Sequence, residues 1–366
     1  MRAPKGFLFS AINSGIKKEG LDLGLIFCED FAQTIGFFTK NKNSSYSVLV
    51  SKNHIKYPTK AVLVNSGNAN CFYKGNGFLN TQSLCENLAK ILKVKKENIL
   101  IASTGIIGKP LPFKKIKDNL KKLVAGLSPN KIDDFSSAIM TTDTFKKIEY
   151  QKIFIKNKTI NILGFAKGAG MIYPNMATLL TFILTDAKIN EGIFKQICKD
   201  VLEVSFNSIS VDGCMSTNDT FFIISSQKIP IEDSKEISIF SEKLKITSLE
   251  LAKKVVKDGE GATKFIEIEI KGAKTKKEAK LAAFSISNSN LFKCAIYGEN
   301  PNWGRIIAAL GQVGLSVSEN KLKIFSTPLS KKEIKFIIDL GMGKCSWKVY
   351  TCDLTPKYIQ INAQYS

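Results

Sequence analysis

Histidine is almost missing from this chain: His54 is the single one in 366 residues. It lies in the polar stretch Ser51-Lys52-Asn53-His54-Ile55-Lys56-Tyr57-Pro58, which reads as surface. A Ser-His-Asp or Cys-His arrangement must use that residue or none. A nucleophilic enzyme built on this sequence therefore needs another base. Arginine is nearly as scarce, with only Arg2 and Arg305 among 53 basic residues, although the formal charge is +21. Bidentate phosphate clamps and direct base readout favour arginine. The lysines are also spread along the chain, with short clusters at Lys93–Lys96 and Lys271–Lys280. They are read as a coat on exposed faces, and nucleic acid is not the expected partner. The eight cysteines form no CxxC pair, so zinc spacing is missing and no metal is expected. Most of these thiols lie in apolar stretches, where free cysteine behaves as a small hydrophobe. No run approaches the roughly 18 apolar residues of a spanning helix. The opening Met1–Gly15 lacks the apolar core and cleavage site of a signal peptide. A soluble, cytoplasmic, globular protein of about two domains is expected.

What is present is a mixture of strand and helix patterns. Ala61–Val64 and Ile99–Ala102 read as short buried strands, each running into a turn-rich segment, Asn65-Ser66-Gly67-Asn68 and Ser103-Thr104-Gly105. Leu84, Leu88, Ile91 and Leu92 recur at helical spacing and predict a helix over 81–93. Tyr150–Ile155 and Thr159–Phe165 flank a Lys-Asn-Lys turn as a hairpin. Leu179–Leu184, Thr220–Ile224 and Phe265–Ile270 read as strands. Asn190 can cap a helix whose apolar face is Ile193, Ile197, Val201 and Val204. Leu249–Val256 reads as a helix stopping at Gly259, Ile306–Leu310 as a helix start and Tyr358–Ile361 as a last strand. The fold class is α/β or α+β, with turns after strands where such folds often build sites.

The most unusual segment is Lys167-Gly-Ala-Gly-Met-Ile-Tyr-Pro-Asn-Met-Ala177-Thr178. It lacks the GxxxxGK[ST] spacing of a phosphate loop, and a strand pattern follows it instead of a helix. A threonine opening a strand after a small alanine suits self-cleavage at Ala177-Thr178. Thr178 then carries a free α-amine, with a reference pKa of about 7.7–8.0, which can take the hydroxyl proton and so replace histidine.

This segment closely resembles the self-cleavage segment of the ornithine acetyltransferase (glutamate N-acetyltransferase) family of arginine biosynthesis. The resemblance spans the chain. Ala3–Phe7, Asn65–Asn70, Ser103–Gly108 and Met140–Thr144 precede the segment in family order. Val211–Gly213, Ser216–Thr220, Asp258–Lys264 and Gly298–Arg305 follow it. The resemblance implies a layered α/β/β/α sandwich. It also implies a main catalytic domain at 1–240, a smaller C-terminal α/β domain at 241–366, and mature chains 1–177 and 178–366. The implied reaction moves acetyl from N-acetylornithine to Thr178, and from Thr178 to glutamate. Thr104 and Gly105 match the family's oxyanion hole. Thr141 or Thr142, Lys167, Glu260 and Asn362 match substrate contacts. Tyr173 stands where many members have histidine. Only Ser366 follows Tyr365, where many members have two hydroxyl residues, so Ser366 is the stand-in for the last contact. No cofactor is implied. The motifs are shared by members that also draw acetyl from acetyl-CoA and members that only recycle it, so both donors stay open. The family's usual assembly is a heterotetramer of two alpha and two beta chains. The rival within enzymes is an N-terminal-nucleophile aminopeptidase or amidase of related fold, which releases the acyl group to water.

Overall fold

The computed structural model describes residues 1–173 and 179–364 and divides into two units. The first comprises Met1–Gly168, Asn175–Ser205 and Met215–Leu251; the second comprises Ala169–Pro174, Phe206–Cys214 and Ala252–Ser366.

The first unit begins with β1 (Phe7–Ile12), β2 (Leu23–Phe38), α1 (Tyr46–His54), β3 (Thr59–Asn68), α2 (Gly77–Leu92) and β4 (Ile99–Ile106). There follow α3 (Phe113–Ala125), α4 (Ile132–Ile139), β5 (Lys147–Ile155), β6 (Lys158–Lys167), β7 (Leu180–Lys188), α5 (Glu191–Val204), β8 (Thr220–Pro230) and α6 (Ser234–Lys257), whose residues from Ala252 on belong to the second unit. The strands run in the order β4-β3-β2-β8-β7-β6-β5, with β1 beside β2. The long β2 serves two halves of this sheet: Leu23–Phe27 pair with β3, and Gln33–Phe38 pair with β8.

The two halves face each other across one core. Strand alternation sends Ile26, Val62, Val64, Leu100 and Ala102 of one half and Leu163, Phe165, Phe182, Leu184, Phe222 and Ile224 of the other into it. The opposite face of the first half, with Leu25, Leu63, Ile99 and Ile101, packs on Leu84 and Leu88 of α2 and Ile116 and Leu120 of α3. The outer face of the second half lies against α6, where a Cβ on Gly164 would stand 2.5 Å from Leu251. The result is the expected helix–sheet–sheet–helix layering, with strands buried on both faces and hence read as unbroken apolar runs. Phe135 of α4 enters the central core, in edge contact with Phe165 at 5.0 Å between ring centres. Its replacement by alanine costs about 3–5 kcal/mol.

In the second unit, β9 (Phe265–Ala273) is followed by α7 (Lys276–Ser287), α8 (Asn290–Tyr297), α9 (Gly304–Gln312), β10 (Lys323–Ser326), β11 (Glu333–Asp339), β12 (Cys345–Cys352) and α10 (Pro356–Gln364). The sheet order is β10-β11-β9-β12. Ile266, Ile268 and Ile270 share a core with Ala282, Ile286, Phe292 and Ile306 of the helices. Glu267 and Glu269, alternate with these isoleucines, face Lys335 and Lys348 at 3.2–3.8 Å. The 240/241 position lies inside α6, and the units part at Leu251/Ala252.

Three sequence expectations are corrected. Tyr358–Ile361 belongs to the helix α10, not to a strand; Pro356 takes its first position, where the missing N–H costs nothing. The buried face of α5 is Phe194, Ile197, Cys198, Val201 and Leu202, while Ile193 is exposed. His54 is not a surface residue. It is buried at the end of α1, with Nδ1 2.8 Å from the carbonyl oxygen of Ile99. That oxygen only accepts, so Nδ1 carries the proton. No helix among the described residues is long and apolar enough to cross a membrane.

Candidate active site

The strand-end motifs meet because β3 and β4 run parallel in register, Asn65 beside Ser103, Ser66 beside Thr104 and Gly67 beside Gly105. Ser103 Oγ donates to Asn65 Oδ1 at 2.7 Å. Asn218 Nδ2 donates to the carbonyls of Ser103 at 2.8 Å and Ala69 at 2.6 Å, which fixes the peptide entering Thr104. Gly105 has φ +133°, and a Cβ there would lie 2.3 Å from the carbonyl carbon of Gly67. Only glycine lets the two backbones approach this closely. Thr104 is buried, and its Oγ1 accepts from Lys167 Nζ at 3.2 Å.

Lys167 ends β6 and is buried, so it is not one of the solvated lysines. The next residue is held by Asp143, whose Oδ1 accepts from the Gly168 amide at 2.7 Å. Asp143 also accepts from the Thr141 amide at 2.9 Å and pairs with Lys147 at 2.5 Å, both side chains being 0% exposed. Burial alone pushes the Asp143 carboxyl up. The charges of Lys167 and Lys147, with the hydrogen bonds from Lys147 and Thr141, outweigh it and hold the carboxyl at about 2. Nearby, Lys17 Nζ donates to the Met140 carbonyl at 3.0 Å.

A second buried carboxyl, Asp219, precedes β8. Its Oδ1 accepts from the Leu179 amide at 3.0 Å, the amide that follows Thr178 in sequence. Oδ2 has no partner among the described residues. Burial pushes this carboxyl well above its ordinary range, against weaker opposition from the Leu179 amide, Thr39 and Lys167.

In the second unit, Asn362 Nδ2 donates to Glu260 Oε2 at 2.9 Å, and the Glu260 amide donates to the Ala169 carbonyl at 2.8 Å. A Cβ on Gly170 would lie 2.5 Å from Glu260 Oε2, so the second glycine of the Gly-Ala-Gly run makes room for this carboxylate. Asp212 accepts from the amides of Met171 at 2.6 Å, Ile172 at 2.9 Å and Cys214 at 3.1 Å. The chain that leads toward residue 177 is thus tied down by backbone-to-carboxylate bonds as far as Ile172.

Of the residues singled out in the sequence, Thr104, Gly105, Thr141 and Lys167 are gathered in the first unit, with Thr142 half-buried beside Thr141. Glu260 and Asn362 meet in the second. Ala177, Thr178 and Ser366 lie outside the described residues. Asn218, Asp143, Asp219 and Asp212 sat inside the quoted motifs without a role. The available signal was an acidic or amide side chain set among small hydroxyl residues at a strand end.

The ArgJ family model matches residues 8–366. The chain belongs to the ArgJ family. It is 38% identical over 391 residues to the arginine biosynthesis bifunctional protein ArgJ of Caldanaerobacter subterraneus subsp. tengcongensis, covering 99% of this chain and 97% of that one. It is 38% identical over 396 residues to the protein of the same name from Thermotoga neapolitana, with 100% of each chain covered. Among solved structures it is similar to an ornithine acetyltransferase from Mycobacterium tuberculosis complexed with ornithine. The identity is 28% and the TM-score 0.41, over 49% of this chain and 96% of that one. As an ArgJ family member the chain is an acyltransferase.

Proposed function

We propose that the chain cleaves itself at Ala177-Thr178 and then works by ping-pong acetyl transfer through Thr178. The reaction moves acetyl from N-acetylornithine to glutamate, giving ornithine and N-acetylglutamate. Thr178 Oγ attacks the acetyl carbonyl carbon while its proton passes to the α-amine of the same residue. The tetrahedral oxygen takes hydrogen bonds from the Thr104 hydroxyl and the Gly105 amide. One such donor typically contributes about 10²–10³ in rate. Collapse returns the proton to the departing amine of ornithine and leaves acetyl-Thr178. The amine of glutamate then attacks the ester and restores the threonine. Thr141 or Thr142, Lys167, Glu260, Asn362 and Ser366 hold the substrates. The observation that carries this reading is the Thr104-Gly105 pair, fixed at the β4 end by Gly67 and Asn218 with a buried lysine bonded to it.

The word bifunctional in the relatives' names favours acetyl-CoA as a second donor. Two alpha and two beta chains in the cytoplasm complete the proposal.

Mass spectrometry of denatured protein is expected to give two fragments, the second beginning at Thr178. Incubation with N-acetylornithine alone adds one acetyl mass to that fragment, and glutamate removes it. Thr178→Ala stays whole and inactive. A fully active, uncleaved wild type refutes the reading. His54→Gln is expected to keep its rate within about 3-fold, well short of the roughly 10²-fold loss of a general base.

A further inference from the structure

We infer that Lys167 acts on the tetrahedral oxygen through Thr104, as a positioning residue that aims and polarises the oxyanion donor. This rests on the reading of Thr104 as part of the oxyanion hole. Lys167 Nζ lies 3.2 Å from Thr104 Oγ1, and both residues are buried. An ammonium has three donors and no acceptor, so Thr104 Oγ1 is the acceptor in this bond. The one hydrogen of that hydroxyl therefore cannot point back at Lys167 and is left to donate elsewhere. The backbone that carries Thr104 is already fixed, by Asn218 on the Ser103 carbonyl and by the close approach of Gly105 to Gly67. The hydroxyl is thus aimed before substrate arrives, which is the preorganisation an oxyanion donor needs. A bond from a cation also pulls electron density out of the O–H, and makes it a stronger donor.

The surroundings keep this lysine in place. Asp143 holds the amide of the following residue at 2.7 Å and lies close enough to feel the Lys167 charge. Asp143 is also paired with Lys147. Asp143 thus lies between the Lys147 ammonium that it pairs with and the Lys167 charge, and ties the end of β6 in place through the Gly168 amide. A lysine that only hooked a substrate carboxylate would need neither the burial nor the bond to Thr104.

Self-cleavage separates the two roles, because the carbonyl attacked there belongs to Ala177 and no substrate carboxylate takes part. The full chain is made by cell-free synthesis, and its conversion into two fragments is timed by mass spectrometry. The variants are Lys167→Met, Lys167→Arg, Thr104→Val and the pair Lys167→Met with Thr104→Val. Lys167→Met is expected to slow cleavage about 10–100-fold, somewhat less than loss of a whole donor. Lys167→Arg recovers most of the rate. The double variant is no slower than Thr104→Val alone, since no hydroxyl remains to polarise. Transfer by the mature variant falls with N-acetylornithine and falls with its α-carboxamide too, where no carboxylate is left for Lys167 to hold. Cleavage at the wild-type rate in Lys167→Met, with carboxamide transfer unchanged, overturns the inference and leaves Lys167 a carboxylate contact. Additive losses in the double variant overturn it as well. Unchanged cleavage in Thr104→Val overturns the oxyanion-hole reading itself. If Lys167→Met gives no cooperative thermal transition, Lys167→Gln replaces it. That variant drops the charge but keeps a neutral donor, and its expected rate lies between those of Lys167→Met and wild type.

Discussion

Asp143 and Asp219 are carboxyls buried in the same unit of one chain, yet their neighbourhoods push them in opposite directions. Around Asp143 the polypeptide supplies two lysines and two backbone amides, and the carboxylate stays charged with its titration held at about 2. Around Asp219 it supplies the Leu179 amide, with Thr39 and Lys167 opposing more weakly, and leaves Oδ2 without a described partner, so burial outweighs them and pushes this carboxyl well above its ordinary range. Burial alone does not decide the charge of a carboxyl. The number of donors and cations aimed at it does.

The comparison breaks most visibly if the Asp143 carboxylate is removed. Asp143→Ala removes the carboxylate of a fully buried ion pair, and is expected to cost about 3–5 kcal/mol in urea denaturation. Lys147→Met takes one of two cations from Asp143 and is expected to cost about 1–3 kcal/mol. It also raises the pH at which acid unfolds the protein.

Acid titration sharpens the contrast further. The Asp143 carboxyl falls from 3.8 to about 2 on folding. A depressed carboxyl contributes its stability above the unfolded value and loses it as pH falls through the folded one. About 2 kcal/mol is therefore lost between roughly pH 4 and pH 2. The stability gap between wild type and Asp143→Asn, followed by denaturation across that range, is expected to close by that amount.

Asp219 gives the smallest effect and the opposite sign. Its raised carboxyl contributes stability in acid that is lost as pH rises through the folded value. Asp219→Asn keeps an oxygen for the Leu179 amide and does not titrate. It is expected to lie within about 1 kcal/mol of wild type in mild acid, and to gain on wild type as pH rises. An Asp219→Asn that loses ground as pH rises would show that the two carboxyls are held alike.

Much of the fold was legible where local chemistry and tertiary packing agree. The runs at 61–64, 99–102 and 220–224 are strands because they are apolar on both faces and lie between layers. Asn190 caps α5 as expected, its side chain accepting from the amides of Gly192 and Ile193. Where the signal was short or polar, the reading failed. The Tyr358–Ile361 run is too brief to separate strand from helix by period, and Pro356 decided for helix. His54 looked exposed because its neighbours are polar, but a helix turns one residue of such a stretch inward, toward the Ile99 carbonyl.

The same division holds at the site. The order and composition of the motifs, read along the chain, were enough to point to the acyltransferase family. Residue type, order and spacing are properties of the chain itself and carry that information without any structure. The environment of each group depends instead on residues far away in sequence. Thr104 meets Lys167 across 63 positions, and Asp219 meets Leu179 across 40. Whether Lys167 is a solvated cation or a buried donor, and whether an aspartate is charged or neutral, is fixed by desolvation and by the donors that β-strand pairing brings alongside. Both are sums over spatial neighbours, and only the tertiary structure supplies those neighbours.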